Sequence, residues 1–203
     1  MNQTALVIGS AVVAYLVGAV PFGVLVSRAF YGTDIRKGGS GNIGAANALR
    51  TLGRRGALAV LALDALKGFA PTLAAGALGG TLPAAVAALA AVVGHCWSPF
   101  LGFKGGKGVA TFLGIVIALW WPAGLAFGLV WVAAVVACGY ASVGSMLASL
   151  AMGPVLWFGL GRAGLVYGVV AALLIVARHR ANLDRLRHGT ENRLGLLKTP
   201  HRS

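Results

Sequence analysis

Three polar stretches interrupt an otherwise apolar chain, and each gathers groups that bind phosphate. The first, "RKGGSGNIGAANALR", runs from Arg36 to Arg50 and holds Arg36, Lys37, Ser40, Gly41, Asn42, Asn47 and Arg50. Its Gly-Gly-Ser-Gly run lets successive backbone N–H groups point into one concavity, which suits an anion. A helix is expected from near Asn42 to Arg54. Its positive end would face the same anion, and Asn47 and Arg50, three residues apart, would share a face. The second, "GFKGGKGVAT", interleaves Lys104 and Lys107 with Gly105, Gly106 and Gly108 before a helix that opens at Val109, with Thr111 in its first turn. It lacks the four-residue spacer of a Walker A loop, and no acid stands near to hold magnesium, so nucleotide hydrolysis is excluded. The third, "RHRANLDRLRHGTENR", places His179, Asn182 and Arg185 at helical spacing on one face.

A further short connection, "GYASVGS", adds Ser142 and Ser145. It contains no G-x-S-x-G elbow, so its hydroxyls read as phosphate or headgroup ligands rather than as nucleophiles. His179, Asn182 and Ser142 are the catalytic candidates, and the remaining residues are candidate phosphate ligands. Each cluster has a plainer reading. Cytoplasmic loops of membrane proteins collect Lys and Arg, and a basic tail can lie on anionic lipid. Carboxamides and glycines among the cations favour a ligand.

The elements that must position these groups are membrane helices. Of 203 residues, 58% are hydrophobic and 10% charged, with a mean hydropathy of +0.84. A soluble domain carries roughly a quarter charged residues. The apolar segments are Thr4–Val26, Leu58–Leu78, Leu82–His95, Val109–Trp121, Ala123–Gly139, Met146–Leu160 and Leu165–Ala177. Val109 to Gly139 as one helix would be about 45 Å long, too long for a ~30 Å core, so it is split at Trp121-Pro122. The expectation is all-α: a single polytopic domain over residues 1–203 with seven transmembrane helices.

Charge orients it. One set of connections and the tail carry Arg28, Arg36, Lys37, Arg50, Arg54, Arg55, Lys104, Lys107, Arg178, Arg180, Arg185, Arg187, Arg193, Lys198 and Arg202, whereas the other set carries Arg162 alone. Lys and Arg mark the cytoplasmic side, which puts the N-terminus outside and the C-terminus inside. The same rule accounts for the net charge of +13 without nucleic acid. Asp64 and Lys67, three residues apart within the second span, either neutralise one another or reach the site. Cys96 and Cys138 have no metal-ligand spacing and read as free thiols. Neither metal nor cofactor is expected.

Taken together, "GSGNIGAANALR", "DALKG", "GHCWSPFLGFKGGKGVAT", the serine turn, "RHRANLDRL" and "HGTEN" resemble, over nearly the whole chain, the bacterial acyl-phosphate:glycerol-3-phosphate acyltransferases. The resemblance implies seven helices in the bacterial cytoplasmic (inner) membrane and a site facing the cytoplasm. It also implies transfer of a fatty acyl group from acyl phosphate to the 1-hydroxyl of glycerol 3-phosphate, giving lysophosphatidic acid. Partners are then both substrates, membrane lipid and the soluble enzyme that makes acyl phosphate. Ala46 stands where many members have Thr. His179 and Asp184 also spell H-x-x-x-x-D, the motif of acyl-CoA-dependent enzymes, but residues five apart on a helix point in different directions. A small anion transporter is the rival from another class; it would be expected to show paired half-helices from inverted repeats.

Overall fold

A computed structural model describes residues 2–194; Lys198 and Arg202, which belong to the basic tail, lie outside the described residues. Within that range the chain is helical throughout, with no strand. The helices are α1 (Gln3–Ala19), α2 (Phe22–Tyr31), α3 (Ala45–Thr51), α4 (Gly53–Gly79), α5 (Thr81–Cys96), α6 (Val109–Leu119), α7 (Trp121–Cys138), α8 (Ala141–Arg178) and α9 (Arg180–Arg187). Five stretches are long and apolar enough to cross a membrane: Gln3–Tyr31, Gly53–Gly79, Thr81–Leu101, Trp121–Cys138 and Ala141–Arg178.

Local chemistry breaks the helices where they must turn. The first apolar segment, expected as one helix, is interrupted at Pro21, which has no N–H and pushes Val20 out of the helical region to ψ 121. The carbonyls this strands inside the bundle are met from other elements. Ser98 Oγ donates to Ala19 O at 2.6 Å and Lys67 Nζ donates to Val20 O at 2.8 Å. The split expected near Trp121-Pro122 occurs at Trp120, whose φ of −163° leaves α6 with 11 residues. That is about 16 Å, half of a hydrocarbon core. The 38 residues of α8 are bent by Gly161 at φ 63°, ψ −149°, so the arms 141–160 and 162–178 fold against each other. A Cβ on Gly168 would come within 2.8 Å of Gly153 Cα.

Two expectations near the polar loops need correction. The helix expected from Asn42 to Arg54 begins at Ala45 and ends at Thr51, because Gly53 takes φ 78° and starts a new helix. Ser142 and Ser145 lie in the first turns of α8 rather than in a connection, since Gly139 and Tyr140 suffice to turn the chain.

Small residues set the packing. A Cβ on Gly18 would strike the backbone of Ala91, and one on Gly94 the backbone of Tyr15, so α1 and α5 lie in backbone contact. The main core gathers Phe112, Ile115, Met152, Leu156, Tyr167 and Ile175 from α6 and α8. A smaller core of Val24, Val26, Ile35, Ile43, Ala48 and Val60 supports the first polar loop. Gly161→Val should therefore lower the apparent melting temperature in detergent, equivalent to about 1–3 kcal/mol. Gly9→Val, where nothing lies within 4 Å of an added Cβ, should leave it unchanged.

Candidate active site

The first polar loop is built around Asn47. Its Nδ2 donates to Ile35 O at 3.0 Å, Gly38 O at 3.1 Å and Asn42 O at 2.8 Å, while its Oδ1 accepts from Ser40 N at 2.8 Å. Asn47 is 1% exposed and its amide is fully engaged, so the residue expected as a ligand shapes the loop that presents Ser40, Gly41 and Asn42. Asp34 anchors the loop's start, pairing with Arg36 at 2.6 Å and Arg28 at 2.8 Å. Hydrogen bonds from Arg36 chiefly hold its carboxyl well below the usual carboxylate range. Arg50, exposed at the rim of the site, donates to Asn192 O at 3.3 Å.

The glycine-lysine loop is clamped from behind. Arg178 Nε donates to Gly106 O and its Nη2 to Gly105 O, both at 3.2 Å, while the guanidinium lies 5.1 Å from the Trp97 ring centre. Gly105 and Gly106 have no room for a Cβ, which would meet the backbone and ring of His95; close packing accounts for both. The clamp directs Lys107 inward, where its Nζ donates to Asn182 Oδ1 at 2.6 Å. Burial, opposed by Glu191 and reinforced by Arg185, Arg50 and Arg178, pushes the Lys107 ammonium down to about 8. Lys104 differs from expectation: it is exposed and lines neither cavity at the site. Phe103, at φ 63°, carries the chain outward there. Thr111 is fully buried in α6 against Gly68 and also lines neither cavity.

His179 sits where α8 ends and α9 begins, and is 2% exposed. Its Nδ1 lies 2.8 Å from Ile175 O, a pure acceptor, so Nδ1 carries the proton and Nε2 keeps its lone pair. Burial, aided by the Lys107 charge, pushes its imidazolium down to about 4, and the ring is neutral near pH 7. Asp184 is exposed and reaches towards Arg187 at 3.9 Å, separate from His179 as the helical geometry requires.

Glu191 was not among the expected site residues, and it joins three of them. Its Oε1 accepts from Ser142 Oγ at 2.8 Å and from Asn182 Nδ2 at 2.6 Å, and its Oε2 from Arg185 Nε at 2.7 Å. Burial raises its carboxyl, but these donors outweigh burial and hold it below the usual range. The available signal was an acid within "HGTEN", one of two in this basic stretch and of four in the chain. Leu194 N to Gly139 O at 2.8 Å then secures the segment across the start of α8. Ser145 turns its hydroxyl to Ala141 O at 2.7 Å and accepts from Trp131 Nε1 at 3.3 Å.

Two cavities meet at this network. The first, about 500 Å³, brings together Ser40, Asn42, Asn47, Arg50, Lys107, Gly108, Ser142, Ser145, His179, Asn182 and Arg185. It continues as an apolar groove between Leu58 and Leu61 of α4 and Phe127, Gly128, Trp131 and Val132 of α7, with Leu113 of α6 also in its wall. The second, about 470 Å³, is bordered by Arg178, Arg180 and Gly41 and shares Ser40, Asn42, Lys107, Asn182 and Arg185 with the first. Such a site can hold two anions side by side and lay an apolar chain along the bundle. No hydrogen-bonded Ser–His pair exists among the described residues.

Residues 8–189 match the family model described as glycerol-3-phosphate acyltransferase. A Jannaschia protein named glycerol-3-phosphate acyltransferase is 45% identical over 96% of this chain and 97% of its own length. One from Ruegeria pomeroyi is 48% identical over 91% of each. The crystal structure of PlsY (YgiH), an integral membrane glycerol 3-phosphate acyltransferase, superposes in its glycerol 3-phosphate form with a TM-score of 0.87. That pair is 38% identical, covering 97% of this chain and 98% of the other. The lysophosphatidic acid form gives 0.84 and 37% identity, covering 92% and 94%.

Lys107 gives the site a pH limb. Its charge is present below about pH 8 and lost above it, so affinity for a phosphate monoester should be full at pH 7 and fall as pH rises through 8, by up to about tenfold per unit. Calorimetric titration from pH 6.5 to 9.5 checks this, and Lys107→Arg should move the limb beyond the range.

Proposed function

This chain belongs to the glycerol-3-phosphate acyltransferase family, and we propose that it transfers a fatty acyl group from acyl phosphate to the 1-hydroxyl of glycerol 3-phosphate, giving lysophosphatidic acid and phosphate. The observation that carries this is the shared wall of Lys107, Asn182, Arg185 and Ser40 between an open cationic cavity and one that runs into an apolar groove. Two phosphates and one lipid chain are what acyl phosphate and glycerol 3-phosphate bring. The groove, with Leu58 65% and Val132 53% exposed, takes the acyl chain from the bilayer.

Acyl phosphate is an activated mixed anhydride, and an enzyme nucleophile adds little. The glycerol hydroxyl attacks the acyl carbon, the carbonyl–phosphate C–O bond breaks, and phosphate leaves towards Lys107 and Arg50. The hydroxyl proton has two possible acceptors. Nε2 of His179, on a ring that protonates near 4, is a weak base; the phosphate of the acceptor, with a second pKa of about 6, is a better one. His179 then orients substrate by accepting a hydrogen bond.

The membrane arrangement follows from charge. Connections at one end carry the cations, while the bends at Gly80, Trp120 and Gly161 carry only Arg162 among the described residues. Counting α1 with α2, then α4, α5, α6, α7 and the two arms of α8 gives seven passes, with the N-terminus outside and the site facing the cytoplasm of a bacterial inner membrane.

Purified protein with radiolabelled glycerol 3-phosphate should form lysophosphatidic acid from acyl phosphate and not from acyl-CoA or acyl carrier protein. Equal turnover with acyl-CoA would defeat the donor assignment, and anion flux without acylation would favour a transporter. Lys107→Ala and Arg50→Ala should each lower kcat/KM at least about a hundredfold, at 1.4 kcal/mol per decade. Lys104→Ala, outside both cavities, should stay within about threefold, typical of a surface change. His179→Gln should keep its rate within about tenfold; a loss beyond about three decades with acceptor binding unchanged decides for His179 as base.

A further inference from the structure

Asp64 and His95 line the first cavity and are 1% and 3% exposed, yet the phosphate-binding network leaves them out. Asp64 Oδ1 faces Lys67 Nζ at 2.6 Å and His95 Nδ1 at 3.8 Å. Neither Asp64 oxygen nor His95 Nδ1 has a hydrogen-bond partner among the described residues, and of the two oxygens only Oδ1 has the ion-pair contact with Lys67. Lys67 is fixed from the other side by its bond to Val20 O at 2.8 Å and lies 5.7 Å from the Phe22 ring centre. Mutual neutralisation accounts for one Asp64 oxygen and the ammonium. It does not account for the second oxygen or for the imidazole nitrogen, each of which loses its hydration without compensation if left bare.

The chemistry of the missing partner is narrow. A carboxylate repels phosphate and gains nothing from an acyl chain. It accepts from a donor, and the only uncharged donors on the two reactants are the acceptor's hydroxyls. On α4, Asp64 continues the Leu58, Leu61 stripe one turn deeper, so the carboxylate closes the cavity beyond the start of the groove. The ion pair with Lys67 occupies one carboxylate oxygen and leaves the other to accept a hydrogen bond, which suits a hydroxyl that is held and not deprotonated.

We propose that Asp64, seconded by His95, is the subsite for the non-reacting 2-hydroxyl of the acceptor, so that this pair selects a glycerol phosphate over an alkanol phosphate that lacks the hydroxyl. The proposal rests on glycerol 3-phosphate being the acceptor. The hydroxyl donates to Asp64 Oδ2, and His95 Nδ1–H, in that tautomer, donates to the hydroxyl oxygen. Lys67 is a positioning residue that holds the carboxylate.

The test compares two acceptors, glycerol 3-phosphate and 3-hydroxypropyl phosphate, which keeps the reacting hydroxyl and phosphate but has no 2-hydroxyl. Wild type should prefer glycerol 3-phosphate by at least about a hundredfold in kcat/KM, as sites built around a substrate hydroxyl do. In Asp64→Asn, Lys67 claims the remaining oxygen and an amide donor replaces the free acceptor. The preference should then shrink at least about tenfold, through loss on glycerol 3-phosphate with the deoxy acceptor nearly unchanged. His95→Gln should shrink it less, and decides the matter if Asp64→Asn does not fold. A parallel loss on both acceptors overturns the proposal in favour of a base or a purely structural pair. Absence of discrimination by wild type overturns it in favour of a buried water. If wild type acylates neither acceptor, the underlying function fails with it, a separate and recognisable result.

Discussion

A half-buried cavity that holds Arg50, Lys107 and Arg185 together would repel itself apart without an anion of its own. Glu191 supplies that anion. Its two oxygens take hydrogen bonds from Ser142, Asn182 and Arg185, and the Asn182 amide, oriented in this way, turns its oxygen to Lys107. One carboxylate thereby ties the start of α8, helix α9 and the glycine-lysine loop into a single hydrogen-bonded chain. The cations are assembled before any substrate arrives, which is the arrangement electrostatic catalysis requires.

Placing that chain at the edge of a membrane calls for helices that stop short. Pro21 ends the first helical run, and the bend at Gly161 folds α8 back on itself, so that His179 at its far end lines the same cavity as Ser142 at its start. The backbone groups released at Pro21 are met by Ser98 and Lys67. Irregular backbone inside an apolar bundle is tolerable when other elements satisfy it, and here Lys67 does so while it also holds the carboxylate at the inner end of the cavity.

Much of this was legible in the residues. Proline and glycine mark helix ends because their backbone chemistry is local, so the breaks near Trp121-Pro122 and at Gly161 could be read within a residue or two. Spacing put His179, Asn182 and Arg185 on one face, and they do line one cavity. What spacing cannot express is which polar group turns inward. Lys104 and Lys107 look equivalent in "FKGGKG", yet an αL turn at Phe103 and the Arg178 clamp separate them. Asn47 looks like a ligand until its four bonds to the loop backbone are counted. Glu191 gains its role from partners 6 to 49 residues away in sequence, which no local pattern reports.

The groove between α4 and α7 is open along its flank, so a long-chain donor need never pass through water. In the proposed reaction its availability is then set by its mole fraction in the bilayer, and a bulk molarity describes only the soluble acceptor. Dilution with inert lipid would slow the enzyme as surely as dilution with buffer slows a soluble one. In that reaction the lysophospholipid formed would leave sideways into the leaflet it joins, making the membrane both the solvent for the reaction and the structure that the reaction enlarges.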